Sequence, residues 1–180
     1  MGVRNYLIEG LSGTGKTSVC DELQRRGYQA IHGDRELRGD PETDEATSGP
    51  MPGHHLPPIW DVAKVKALVT NHDEVLTFFC GGCRNSSEFI DLLDSVFVLE
   101  VDDIDTVMRR IDKRVLVDPG DWGGRQEERE IIMRLHHTKE TFRRTVFRST
   151  PPHRSRKSLT RFFVTARRVG SRGSNLVLSP

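Results

Sequence analysis

Residues 10–17 read Gly-Leu-Ser-Gly-Thr-Gly-Lys-Thr, the pattern G-x-x-x-x-G-K-[ST] with Gly10, Gly15, Lys16 and Thr17 at the fixed places. Such a loop works only between a buried strand and the start of a helix, because its amides and the helix N-terminus must converge on one anion. Both flanks are present. Val3 and Tyr6-Leu7-Ile8 form a short apolar run before the loop. After it, Lys16 to Arg25 has no Gly or Pro and sets Val19, Cys20 and Leu23 on one helical face, with Gly27 as the stop. The motif assigns phosphate binding to Gly10, Ser12, Gly13, Thr14, Gly15, Lys16, Thr17 and Ser18. Lys16 reaches the β- and γ-phosphates, and the Thr17 hydroxyl is the one metal ligand expected, on Mg²⁺. ATP and Mg²⁺ are the expected ligands.

Beyond the loop, apolar runs alternate with helical patterns. Gln29 to His32, Val75 to Cys80 and Val96 to Val101 read as strands. Val62 to Val69, which Asp61 can cap, Ser87 to Leu93, Ile104 to Arg114 and Gln126 to Lys139 read as helices. Strands separated by helices predict an α/β fold: a three-layer arrangement with a parallel sheet and helices on both faces. Ligands in such sheets bind at the carboxyl ends of the strands. Attention therefore falls on Gly10–Thr17, Gly33–Glu36, Gly81–Asn85 and Asp102–Asp105. Two stretches are irregular: the polar Arg38–Pro58, and Val115–Arg125, whose glycines could serve as the hinges of a short lid.

The length of 180 residues suits one domain. No run reaches the ~18 apolar residues of a membrane span, and the N-terminus has no signal-peptide pattern. Cys20, Cys80 and Cys83 make no disulfide framework, which points to a reducing cytoplasm, and Cys80-x-x-Cys83 reads as a turn with two small residues. The net charge of +1 hides a split. Residues 141–180 carry ten Lys+Arg and no acid, whereas 1–140 have a net charge of −9, so the body lacks the charge of a nucleic-acid binder. The expected partners are ATP and a small-molecule phosphate acceptor, with no membrane and no nucleic acid. The oligomeric state is not legible.

Several segments together resemble the small P-loop kinases of the adenylate, shikimate and nucleoside kinase group, over about residues 3–140. They are Asn5 to Gly10 leading into the loop, Ile31-His32-Gly33-Asp34-Arg35-Glu36, Phe78 to Gly82 with Arg84-Asn85, Val96 to Asp102, and Trp122-Gly123-Gly124. The resemblance implies ATP-dependent phosphoryl transfer to a small acceptor of nucleoside or nucleotide type. It places Lys16 on the transferred phosphate, Asp34 on the acceptor hydroxyl and Arg84 on the acceptor or its phosphate. From the lid it implies an arginine among Arg110, Arg114 and Arg125 to neutralise the moving phosphoryl group. Arg114 and Arg125 are carried forward, with helix-surface charge as the rival reading for Arg110. The alternative is a P-loop nucleotide-binding protein or NTPase that transfers to no acceptor.

The chain departs from the group in places. Its third strand runs into Cys80-Gly81 and offers no Walker-B Asp, so the metal would rest on Thr17, water and phosphates, helped by Asp34. The lid reads Arg114-Val-Leu-Val-Asp-Pro-Gly-Asp121 where relatives carry an Arg-Pro-acid segment. His54-His55 and His136-His137 read as loop and helix-surface histidines rather than zinc ligands.

The tail, 141–180, lacks the family's last strand and helix and reads as irregular and basic. A frameshift also accounts for it. With allowed codons, the shifted frame of Thr141–Phe163 spells Ile-Pro-Lys-Asp-Gly-Val-Pro-Phe-Asp-Ala-Thr followed by an amphipathic helix, the usual ending of the group. Sequencing the gene tests this: the reading fails if no single-base insertion or deletion is found near Lys139–Thr141.

Overall fold

The structure, a computed structural model, describes residues 4–39, 57–138 and 160–163. Five strands form one parallel sheet in the order β2-β3-β1-β4-β5. They are β1 (Arg4–Gly10), β2 (Gln29–His32), β3 (Leu76–Cys80), β4 (Ser95–Glu100) and β5 (Thr160–Phe163). β1 lies in the middle, paired with β3 and β4, so the phosphate loop leaves the sheet at its centre. The α-helices among the described residues are α1 (Lys16–Arg25), α2 (Gly33–Glu36), α3 (Val62–Thr70), α4 (Ile104–Val117) and α5 (Gln126–Thr138).

Strand alternation sorts the core into two faces. Leu7 lies in register with Phe79 and Val96; the next residue, Ile8, lies in register with Cys80 and Phe97. The first row packs with Val65 of α3 and with Leu37, Trp60, Phe89 and Leu93. The second packs with Val19, Cys20 and Leu23 of α1 and with Ala30 and Leu99. Each fully buried Val or Leu contributes about 1.5–3 kcal/mol, so the three buried residues of α1 fix that helix, and with it the loop's far end. A third cluster joins α4 to α5 through Val107, Ile111 and Ile132, with Trp122 against it.

The helix starts follow the expected chemistry. Asp61 accepts from the Ala63 and Lys64 amides at the start of α3, and Asp103 does the same for Asp105 and Thr106 at α4. Four local expectations change. Ser87–Leu93 forms two 3₁₀ turns, Ser86–Glu88 and Ile90–Leu92, rather than one helix. α4 runs on to Val117, taking residues 115–117 from the expected lid and leaving 118–125 as the loop. No breaker precedes Pro119, which disfavours helix only at the residue before it. The Arg38–Pro58 stretch begins and ends as a neck: Gly39 N–H donates to Ile59 O (2.8 Å) and Asp61 N–H to Leu37 O (2.7 Å). Its interior, 40–56 with His54-His55, lies outside the described residues. Finally, the irregular tail supplies a strand after all: Thr160, Phe162 and Phe163 are β-formers, and the backbone of Thr160–Phe163 pairs with β4. The rest of 139–180, and with it most of the frameshift reading, lies outside the described residues.

Candidate active site at the phosphate loop

Gly13 and Gly15 carry the loop's tightest turns, with φ of 80° and 102°, in the left-handed region that costs glycine nothing. Gly13 is further constrained by its neighbour. A Cβ there would sit 2.7 Å from Val107 Cγ1 of α4. Thr14 closes the turn by donating its hydroxyl to Leu11 O (2.8 Å). α1 then begins with Gly15 as N-cap, no side-chain cap and no acid in its first turn. α3 and α4 have their first amides covered by aspartates, so α1 leaves its positive end open to a ligand. The residues therefore fit the phosphates of a nucleotide.

Lys16 lies curled over the loop, with Nζ donating to Gly10 O (2.7 Å) and Leu11 O (3.1 Å). Burial pushes its ammonium below the ordinary lysine value. Asp34 pulls it up against that, Arg114 pushes it down and Glu9 pulls it up. Glu9 is a site neighbour missed in the sequence, although an acid directly before the first loop glycine was a visible signal. Thr17 and Ser18 are exposed on the first turn of α1, which leaves the Thr17 hydroxyl accessible to a hydrated metal.

The outer side of the loop is held by side chains from α4 and α5. Arg110 Nη1 donates to Gly13 O (3.0 Å) and Thr14 O (3.2 Å). Arg114 Nη2 donates to Ser12 Oγ (3.2 Å) and to Trp122 O (2.6 Å), while its Nε sits 2.6 Å from Asp121 Oδ2. His136 Nε2 lies 2.9 Å from Ser12 O. Arg110 is therefore a brace of the loop, not helix-surface charge. His136 is likewise no surface histidine, since only 6% of it is exposed. It shares one face of α5 with buried Glu128 and Ile132 at a spacing of four, which carries it inward. Its neighbour His137 is exposed.

At the carboxyl ends of β2 and β3, Asp34 Oδ1 accepts the Gly82 N–H (3.1 Å), so the acid expected on the acceptor stands over the turn that follows β3. Arg84 follows in that turn, partly buried, its backbone N–H donating to Pro58 O (3.2 Å). Asn85 accepts the Trp60 N–H (3.0 Å) and donates to Trp60 O (2.9 Å), pinning the neck beside it. Arg125, the other lid arginine, is exposed; its backbone N–H donates to Glu128 Oε2 (3.2 Å) and its carbonyl accepts the Arg129 N–H (3.2 Å). The structure brings Lys16 and Arg114 to the loop, sets Asp34 over the turn after β3, and leaves Arg125 exposed at the start of α5.

Strand order, loop and open helix define the class: an α/β domain with a central parallel sheet and a phosphate loop of the P-loop type. A family model described as "AAA domain" matches residues 7–133, and the chain belongs to that family. Among solved structures it is similar to a shikimate kinase from Acinetobacter baumannii in complex with shikimate, at 14% identity and a TM-score of 0.44, covering 80% of each chain. A search of curated proteins finds no match. No helix among the described residues is long and apolar enough to cross a membrane.

Proposed function

We propose that this protein transfers the γ-phosphoryl group of ATP to a small-molecule acceptor of nucleoside or nucleotide type. The observation that supports the reading is that Arg114 reaches the loop at Ser12 Oγ (3.2 Å) while Asp34 holds the turn after β3, the strand beside β1, by accepting the Gly82 N–H (3.1 Å). A bare nucleotide-binding protein needs the loop and the lysine. Phosphoryl transfer also calls for a proton acceptor and a cation for the moving group, the parts taken here by the carboxylate after β2 and the arginine from α4.

In this reading, the first amides of α1 and the Gly13 and Gly15 N–H groups bind phosphate oxygens, and Lys16 exchanges its two carbonyl bonds for the β- and γ-phosphates. Arg114 neutralises charge on the moving group. Asp34 orients the acceptor hydroxyl and takes its proton as the new P–O bond forms and the bond to ADP breaks. Catalysis is then mostly positioning and electrostatics. Mg²⁺, held by the Thr17 hydroxyl with Asp34 beside it, would supply further neutralisation of phosphate charge. Arg84, in the turn after β3, holds the acceptor or its phosphate in this reading.

A screen of nucleosides, nucleotides and sugar acids with ATP, following ADP release and the phosphorylated product, tests the proposal. ADP release that no acceptor stimulates would favour the NTPase alternative. Lys16→Ala is expected to lower turnover on the order of 10³-fold while the fold survives. Undiminished transfer by the folded variant would reject the assigned role.

A further inference from the structure

We propose that His136 is a positioning residue of the phosphate loop: from the last turn of α5 it fixes the Ser12–Gly13 peptide so that the Gly13 N–H points at the nucleotide phosphates. The proposal rests on the nucleotide-binding part of the reading above.

A backbone carbonyl can only accept a hydrogen bond, so the 2.9 Å contact between His136 Nε2 and Ser12 O requires a hydrogen on Nε2. The peptide bonds of the described chain are trans, so a C=O and the N–H of the next residue point in opposite directions. Drawing Ser12 O outward to His136 therefore turns the Gly13 N–H inward. Arg110 does the same one turn on: it takes Thr14 O, which turns in the Gly15 N–H. Neither the Gly13 nor the Gly15 N–H has an acceptor among the described residues. Both stand ready for an anion, at the place where backbone amides make a phosphate nest.

His136 reaches the loop from a rigid base. At the other end of α5, Glu128 accepts the Gly123 and Arg125 N–H groups (2.9 and 3.2 Å). In the middle, Ile132 packs on Val107 and Ile111. Val107 is the side chain that Gly13 approaches too closely to carry a Cβ. One cluster thus supports both the histidine and the peptide it holds. A peptide fixed before the ligand arrives costs no reorganisation when it binds.

The test uses the full chain and measures ATP and inorganic triphosphate binding by calorimetry, with the melting midpoint recorded without ligand. His136→Leu removes the donor and is expected to weaken both ligands about 10-fold, the scale of an outer contact that orients a binding group. His136→Gln places an N–H donor at a similar reach and is expected to bind within about 3-fold of wild type, since a donor is what the carbonyl needs. A residue that served only the core would show no such rescue. Wild-type affinity in the Leu variant, or a folded Gln variant as weak as Leu, overturns the proposal. Should the Leu variant not fold, amide exchange in the wild-type protein decides: triphosphate is expected to slow exchange at Gly13, and an unprotected Gly13 overturns it. A wild-type protein that binds neither ligand would sink the nucleotide-binding reading itself, and this inference with it.

Discussion

The two halves of the site are held in different ways. On the phosphate side, Arg110, Arg114 and His136 come in from α4 and α5 and occupy the carbonyls of residues 12–14 and the Ser12 hydroxyl. On the side proposed for the acceptor, exposed Asp34 accepts one backbone N–H, from Gly82. A phosphate chain is the same in every nucleotide, so a rigid cradle can be built for it in advance. An acceptor hydroxyl has to be met by a group that can adjust to it. The difference implies that the halves are separable: damage to one should leave the other's readout nearly intact.

The largest expected effect tests that separation from the acceptor side. Asp34→Asn keeps the shape and the capacity to accept from Gly82 but removes the proton acceptor. Turnover with the best acceptor is expected to fall roughly 10²–10⁴-fold, the range of general-base contributions. ADP affinity should stay within about 3-fold, because under the separation drawn here nucleotide binding is the business of the loop and its outer supports. Kinetics and calorimetry on one preparation check both numbers. A parallel collapse of ADP binding would mean that Asp34 supports the cradle and that the halves are one unit.

Arg110→Ala attacks the other side. It removes two charge-assisted bonds to loop carbonyls, each worth about 1.5–3 kcal/mol where the group is desolvated. With part of that loss borne by the loop, nucleotide affinity should drop on the order of 10-fold to 100-fold. Turnover at saturating ATP should change much less than it does in Asp34→Asn. Unchanged ATP affinity in the folded variant would show that the loop holds its shape without α4.

The contrast also explains what the sequence could disclose. The loop, its strand and its helix were legible because they are contiguous, and the Asp61 cap was legible for the same reason. The outer supports are 96 to 124 residues away from the groups they bond, and nothing in local spacing announces such pairs. Arg110 read as a lid arginine with surface charge as the rival, and His136 as half of an exposed pair. Only the Glu128–Ile132–His136 spacing marked the histidine as facing inward, and that stripe mixes a charge, an apolar residue and an imidazole. Element ends slipped where no breaker stood, as at Val115–Val117. β5 was missed because the surrounding basic composition outweighed three strand-forming residues, Thr160, Phe162 and Phe163.

Asp121→Asn should give the smallest effect and concerns the joint between the halves. Asp121 Oδ2 lies 2.6 Å from Arg114 Nε, and its Oδ1 takes the Trp122 N–H (2.7 Å), so the loop after α4 offers the arginine a carboxylate where a phosphoryl group would later compete. Both side chains are partly exposed, at 40% and 32%, which limits the pair to about 0–1 kcal/mol. Removing the charge should therefore tighten ATP binding by no more than about 5-fold. The gain should be largest at low salt and shrink as ionic strength rises. Calorimetric titrations at two salt concentrations check the size and the trend. Weaker ATP binding in Asp121→Asn would reverse the interpretation: Asp121 would then aim Arg114 at the phosphate rather than compete for it, and the lid would belong to the prepared half of the site.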